Sequence, residues 1–188
     1  LVQQVIQQIN LTSFKASYPG LLILFMLLTL FVTASYSQDN DKKPKDNFLY
    51  GDYYLTNHLY KDALLFFLSV YKRDSLNANI NYKIGKCYMN IRGEKLKSIP
   101  YLERASKNVT TKYIDGKYET KSAPVEALIL LGEAYQRNNE LDKALEKYQD
   151  YKNYLKPKQK EDLAEINIKI QTIETAKQEM KNVLDLEI

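Results

Sequence analysis

From residue 47 to residue 157, apolar side chains recur at three- and four-residue intervals, and short polar breaks cut the run into helix-length pieces. The first piece carries Phe48, Tyr50, Gly51, Tyr54 and Leu55 and breaks at Thr56–Leu59. The second runs from Tyr60 to Arg73, with Ala63 and Phe67 four apart on one face. Another pair carries Tyr82, Ile84, Gly85, Tyr88 and Met89, then, beyond the turn Asn90–Glu94, Ser98, Leu102 and Ala105. A last pair carries Ala127, Leu128, Leu131, Gly132, Ala134 and Tyr135, turns at Asn138–Glu140, and continues through Leu141, Ala144, Leu145, Tyr148 and Tyr151 until Pro157. The pattern predicts an all-α chain built from three helical hairpins.

The hairpins share a spelling: Asn47-x-x-Tyr50-Gly51-x-x-Tyr54, Asn81-x-x-Ile84-Gly85-x-x-Tyr88 and Leu128-x-x-Leu131-Gly132-x-x-Tyr135. The first two glycines lie 34 positions apart, the period of a tetratricopeptide (TPR) unit. Glycine inside a helix costs about 1 kcal/mol against alanine. Its use here is steric, because without a Cβ the second helix of a hairpin approaches the first closely. Ala63, Ser98 and Ala144 give the same relief from the other side, and Tyr54 with Phe67, Tyr88 with Leu102, and Tyr135 with Tyr148 fill the remaining space. The Gly85-to-Ser98 interval is one residue longer than the Gly51-to-Ala63 interval, and the extra residue falls in the Asn90–Glu94 turn. Pro100 falls in the first turns of its helix and Pro124 opens the third hairpin, both tolerated places for proline.

Between Gly85 and Gly132 the period stretches to 47, and most of the excess lies in an insert at 107–121. Asp115-Gly116 between Tyr113 and Tyr118 is a type I′ turn signal, so a small hairpin or an extended loop is expected there. Inserts of this kind map to one edge of a repeat stack and often carry specificity. Asn108-Val109-Thr110 matches a short glycosylation signal. After Pro157, Leu163, Ile166, Ile170, Ile173 and Met180 make one apolar stripe along a helix at 160–182, which is read as a cap over the open face of the last hairpin.

The front of the chain differs. Leu21–Val32 is an uncharged apolar run preceded by Lys15 and followed by the small residues Ala34, Ser35 and Ser37, the order of a secretory signal peptide with cleavage before Gln38. The run is short for a membrane span, which needs about 20 apolar residues, and no cysteine follows it to carry a lipid. Domain limits follow: 1–37 signal peptide and upstream segment, 38–46 polar linker, 47–157 three repeats with the insert, 158–182 capping helix, 183–188 exit segment.

Composition narrows the chemistry. The 188 residues carry a net charge of +4 spread over alternating signs, and no dense run of Lys and Arg suggests a nucleic-acid partner. One cysteine, Cys87, and one histidine, His58, exclude an internal disulfide and a Cys/His metal site. Cys87 lies in an apolar helical stretch and reads as a core thiol; His58 lies in a turn. No catalytic set and no Gly-rich phosphate loop is visible, so no enzyme, no cofactor and no metal are expected.

The strings YKIGKCYMNIRGEKLKSIPYLERA (82–105) and KSAPVEALILLGEAYQRNNELDKALEKYQDYKNYL (121–155), with the Tyr- and Gly-bearing insert between them, resemble the N-terminal region of a family of Bacteroidetes cell-envelope proteins. Members carry a signal peptide, a TPR region, a β-propeller and an OmpA-like peptidoglycan-binding domain, and some belong to the type IX secretion apparatus. The resemblance covers about residues 38–188 and includes the tail MKNVLDLEI. The propeller and OmpA-like parts are absent from this sequence, so peptidoglycan binding does not carry over, and the chain reads either as a fragment of a longer protein, which the end inside the exit segment favours, or as a short version that keeps only the scaffold.

The resemblance implies a partner-binding groove on the first helices of the repeats, formed by Phe48, Asp52 and Leu55, by Tyr82, Lys86, Met89 and Asn90, and by Ile129, Glu133, Gln136 and Arg137. This mixture of apolar anchors and both charge signs suits an extended peptide or a helix of another envelope protein. The expectation is an exported scaffold, periplasmic or at the inner face of the outer membrane. A glycan- or nutrient-capture module at the outer membrane is the alternative, and it requires exposed aromatics on the insert.

Overall fold

The computed structural model describes residues 43–186, with side chains through Val183. The expected signal peptide and most of the linker lie outside the described residues. The linker's last residues, 43–46, are not a linker: they form the first turn of helix α1, which spans 43–56, with Pro44 buried in that turn. The elements then run α2 (Tyr60–Tyr71), α3 (Ala78–Asn90), a 3-10 turn (Lys95–Ser98), α4 (Ile99–Ala105), β1 (Val109–Thr110), β2 (Ala123–Pro124), α5 (Glu126–Arg137), α6 (Leu141–Tyr154) and α7 (Lys160–Leu186). The architecture is an all-α stack of three hairpins, α1/α2, α3/α4 and α5/α6, closed by α7.

Each hairpin is notched at its glycine. A Cβ on Gly51 would sit 2.8 Å from Phe67 Cε1, one on Gly85 2.5 Å from Leu102 Cδ2, and one on Gly132 2.5 Å from Tyr148 Cε1. Ala63, Ser98 and Ala144 are fully buried across these notches. Phe48, Phe67, Ile80, Ile84 and Cys87 make one core, and Leu102, Leu128, Leu131, Tyr148, Ile166 and Ile173 another. The first hairpin bonds to the second through an aromatic cluster in which Tyr101 meets Tyr71 edge-on at 5.5 Å and stacks on Tyr88 at 5.6 Å. Tyr54 packs on the edge of the first core, half-buried and stacked on Phe66 at 5.4 Å.

Two of the turns are the same object. His58 and Asn139 each stand seven residues after a notch glycine, and both have φ of 60°. The N–H of His58 bonds to Leu55 O at 3.1 Å and that of Leu59 to Tyr54 O at 2.9 Å. Asn139 N–H bonds to Gln136 O at 3.1 Å and Glu140 N–H to Tyr135 O at 2.9 Å. This is a left-handed helix cap that satisfies carbonyls otherwise left open at the helix end. The longer middle turn breaks the rule: Ile91 is extended, Gly93 takes φ of 80°, and a 3-10 turn leads into α4.

Three further expectations change. Pro124 does not open α5 but pairs in β2, two residues before the helix. The insert is no hairpin, since its base is closed by a parallel bridge, Val109 with Ala123 and Thr110 with Pro124. Asp115 lacks the positive φ that a type I′ turn demands, and only Gly116 adopts it, at 70°. The α7 stripe is buried at Ile166 and Ile173, but Met180 is half-exposed, because α7 runs on past the hairpin it covers. Ion pairs from Lys169 to Glu133 at 2.8 Å and from Lys177 to Asp142 fix α7 to the last hairpin.

Candidate functional site: the first-helix face and its insert

The face expected to receive a partner is already filled over its first two repeats by residues 113–121 of the same chain. Its polar centre is Lys83 on α3, whose side chain is 1% exposed. The Lys83 ammonium bonds to Asp52 on α1 and, at 2.8 Å, to Asp115 Oδ1 of the insert. It also lies 5.5 Å from the Phe48 ring centroid and 5.9 Å from that of Phe67. A lysine is rarely buried unless paired, and here one counter-charge comes from the scaffold and one from the insert.

One turn earlier on α3, Asn79 is fully buried, and its side chain and backbone N–H bond to the insert. Its Nδ2 donates to Thr120 O at 3.1 Å, its backbone N–H to Lys121 O at 3.3 Å, and Tyr113 donates its hydroxyl to Asn79 Oδ1 at 2.6 Å. Tyr113 meets Tyr82 edge-on at 6.1 Å, and Tyr118 meets Phe48 edge-on at 5.6 Å. Lys45–Glu119 at 2.9 Å and Lys121–Asp74 at 2.7 Å hold the margins.

Burial alone would raise the Asp115 carboxyl. The bonds from Lys83, the Gly116 N–H and Tyr113 outweigh burial and hold it below its ordinary value. Burial pushes the phenols of Tyr82 and Tyr113 up, away from ionisation. Burial likewise pushes the Cys87 thiol up to about 12. That residue is a core side chain with no accessible thiolate.

The expected groove residues therefore separate. Phe48, Leu55, Tyr82 and Met89 are buried and offer no open surface; Phe48 and Tyr82 lie under the insert, and Met89 packs into the core of the third hairpin. Asp52 is committed to Lys83, and Glu133 to Lys169. Ile129 is half-buried against the same core as Met89. Lys86 is half-buried, its ammonium 3.4 Å from the Tyr82 hydroxyl. Asn90, Gln136 and Arg137 remain exposed. Arg137 borders a shallow depression with residues 93–97 of the middle turn.

Sequence reasoning missed Asn79, Lys83, Tyr113 and Asp115. A signal existed, since Asn79 and Lys83 stand four apart beside Tyr82 on one face of α3. A lysine in a helix nevertheless reads as solvated unless its counter-charge is known to arrive from elsewhere. Among the described residues no group of three or more His, Cys, Asp or Glu side chains is placed to hold a metal ion. No described helix is long and apolar enough to cross a membrane.

No protein-family profile matches the sequence. No curated protein matches it either. Among solved structures, the fold is similar to a chain in the crystal structure of a T3SS complex from Aeromonas hydrophila. The TM-score is 0.57 at 15% sequence identity, over 78% of this chain and 97% of that one. At that identity the likeness concerns the fold: a stack of helical hairpins.

Proposed function

We propose that the chain is an exported, non-enzymatic TPR scaffold that holds other proteins in a bacterial cell-envelope assembly, at the periplasmic side of the outer membrane, as the N-terminal part of an OmpA-like family protein. The observation that carries this reading is the stacking of three hairpins, each closed at its own glycine, Gly51, Gly85 or Gly132, into one continuous helical surface. Similarity of fold to a chain from a T3SS complex is consistent with a protein-interaction role in general. The surface open to a partner is the far end of the first-helix face, where Asn90, Gln136 and Arg137 are exposed. The capture alternative asks the insert to show aromatic rings to a sugar, and Tyr113 and Tyr118 instead pack on Tyr82 and Phe48.

The test is affinity purification from the envelope fraction of the native host, comparing the chain with an Arg137→Glu/Gln136→Ala variant. A defined envelope protein that co-purifies with the chain, and is lost in the variant, is the expected outcome. Saturable quenching of tyrosine fluorescence by oligosaccharides, with no protein partner, would overturn the reading in favour of capture.

A further inference from the structure

We infer that the insert is an exchangeable occupant of the α1/α3 face, and that this face accepts from another protein a turn-rich segment of mixed charge with tyrosines flanking an Asp-Gly step. The inference rests on the scaffold reading and names the partner class for its other, filled surface.

The face is built as a receptor. Lys83, 1% exposed, and Asn79, fully buried, place an ammonium and a carboxamide at the centre of a helical face. The Asn79 amide finds its partners in the insert alone, at Tyr113, Thr120 and Lys121. Phe48 and Tyr82 present ring surfaces on either side. The insert is read by its main-chain carbonyls at 120 and 121, by one carboxylate at 115 and by two phenols.

Charge is complementary in the same sense. Lys83 receives Asp115 and Lys45 receives Glu119, while Asp74 receives Lys121. A segment in the insert's place therefore needs two carboxylates four apart, for Lys83 and Lys45, and a lysine for Asp74.

The insert is also built to leave. Its base is pinned by the Val109–Ala123 and Thr110–Pro124 bridge, so the loop can swing away without separating the hairpins. The latch carboxylate of Asp115 is 74% exposed, so solvent reaches the latch from its insert side while the Lys83 ammonium stays covered until the insert lifts. A tethered occupant acts at an effective concentration in the millimolar range, which keeps the face closed to a weak peptide.

The test uses a fluorescein-labelled peptide with the sequence of residues 111–122 and the purified chain, read by fluorescence anisotropy. The wild-type chain is expected to bind it weakly. A Tyr113→Ser/Asp115→Asn/Tyr118→Ser variant, folded by circular dichroism, is expected to bind at least about tenfold more tightly. Adding Lys83→Met to that variant, or replacing the peptide's aspartate by asparagine, is expected to abolish the gain. Should the triple variant not fold, Asp115→Asn alone must still bind the peptide more tightly than wild type. Equal binding by the released and wild-type chains, or binding indifferent to Lys83→Met, overturns the inference. The co-purification is read separately: a protein captured by the wild-type chain and lost in the Arg137/Gln136 variant, together with a peptide-blind α1/α3 face, sinks this inference alone, whereas no protein captured by the wild-type chain sinks the scaffold reading.

Discussion

The Lys83 ammonium and the Asp115 carboxylate meet at 2.8 Å across 32 positions of sequence, one in the middle of a helix and the other at the tip of a loop. That contact, with Asp52 on the opposite side, decides which part of the first-helix face is open. Lys83→Met is expected to release the insert and to lower stability by about 1–3 kcal/mol, the range for a charged hydrogen bond with partly solvated partners. Trypsin should then cut at Lys112, Lys117 or Lys121 well before it cuts the helices. Unchanged cleavage rates would show that the aromatic contacts hold the insert unaided.

Acid should loosen the same latch. Asp115 lies below its ordinary carboxyl value, so its contribution is complete above about pH 4 and is lost as pH falls through the lower folded value. Asp74 is held down in the same direction, first by its bond from Lys121. Hydrogen exchange, corrected for intrinsic rates, should show residues 113–121 losing protection near pH 3 relative to pH 6 while α5 and α6 keep theirs. Equal protection at both values would remove the electrostatic account of the latch.

Gly85→Ala tests the notch. The added Cβ would fall 2.5 Å from Leu102 Cδ2 and 2.6 Å from Leu102 Cγ. Overpacking costs about 1–3 kcal/mol and opposes a helix-propensity gain of about 1 kcal/mol. Net destabilisation in a urea melt is expected, and Gly85→Ala combined with Leu102→Ala should cost less than the sum of the two single changes, because each relieves the other. A stabilised Gly85→Ala protein would mean that helix propensity outweighs close approach.

His58→Gly should stabilise by about 1 kcal/mol, because a side chain at φ of 60° carries a left-handed penalty that glycine lacks. Asn139→Gly should do less, since asparagine tolerates this region. A loss of stability on His58→Gly would show that the His58 Nδ1 contact with the Tyr60 hydroxyl, 2.9 Å away, outweighs the cap.

Cys87 should resist a disulfide-forming thiol reagent at pH 8 in the folded chain and react fully in denaturant. The thiol is buried and pushed up to about 12, so little thiolate forms and none is reachable. Rapid native-state labelling would place Cys87 at an opening surface.

The fold was legible because its rules are local. The spacing of Gly51, Gly85 and Gly132 and the apolar periods around them define each hairpin from its own residues, and Ile166 and Ile173 mark the cap by the same period. Two residues of equal propensity can still differ in fate. Lys86 is half-buried near the helix surface and Lys83 is fully buried, three positions away on the same helix. Nothing within α3 distinguishes them. The difference comes from a loop that begins after α4, whose Asp115 and Tyr113 fold back across the first two hairpins. Local periodicity determined that hairpins form and stack. Only the tertiary structure decided that the expected groove residues Phe48 and Tyr82 lie beneath an insert, because burying an ammonium depends on charges brought from elsewhere in the chain.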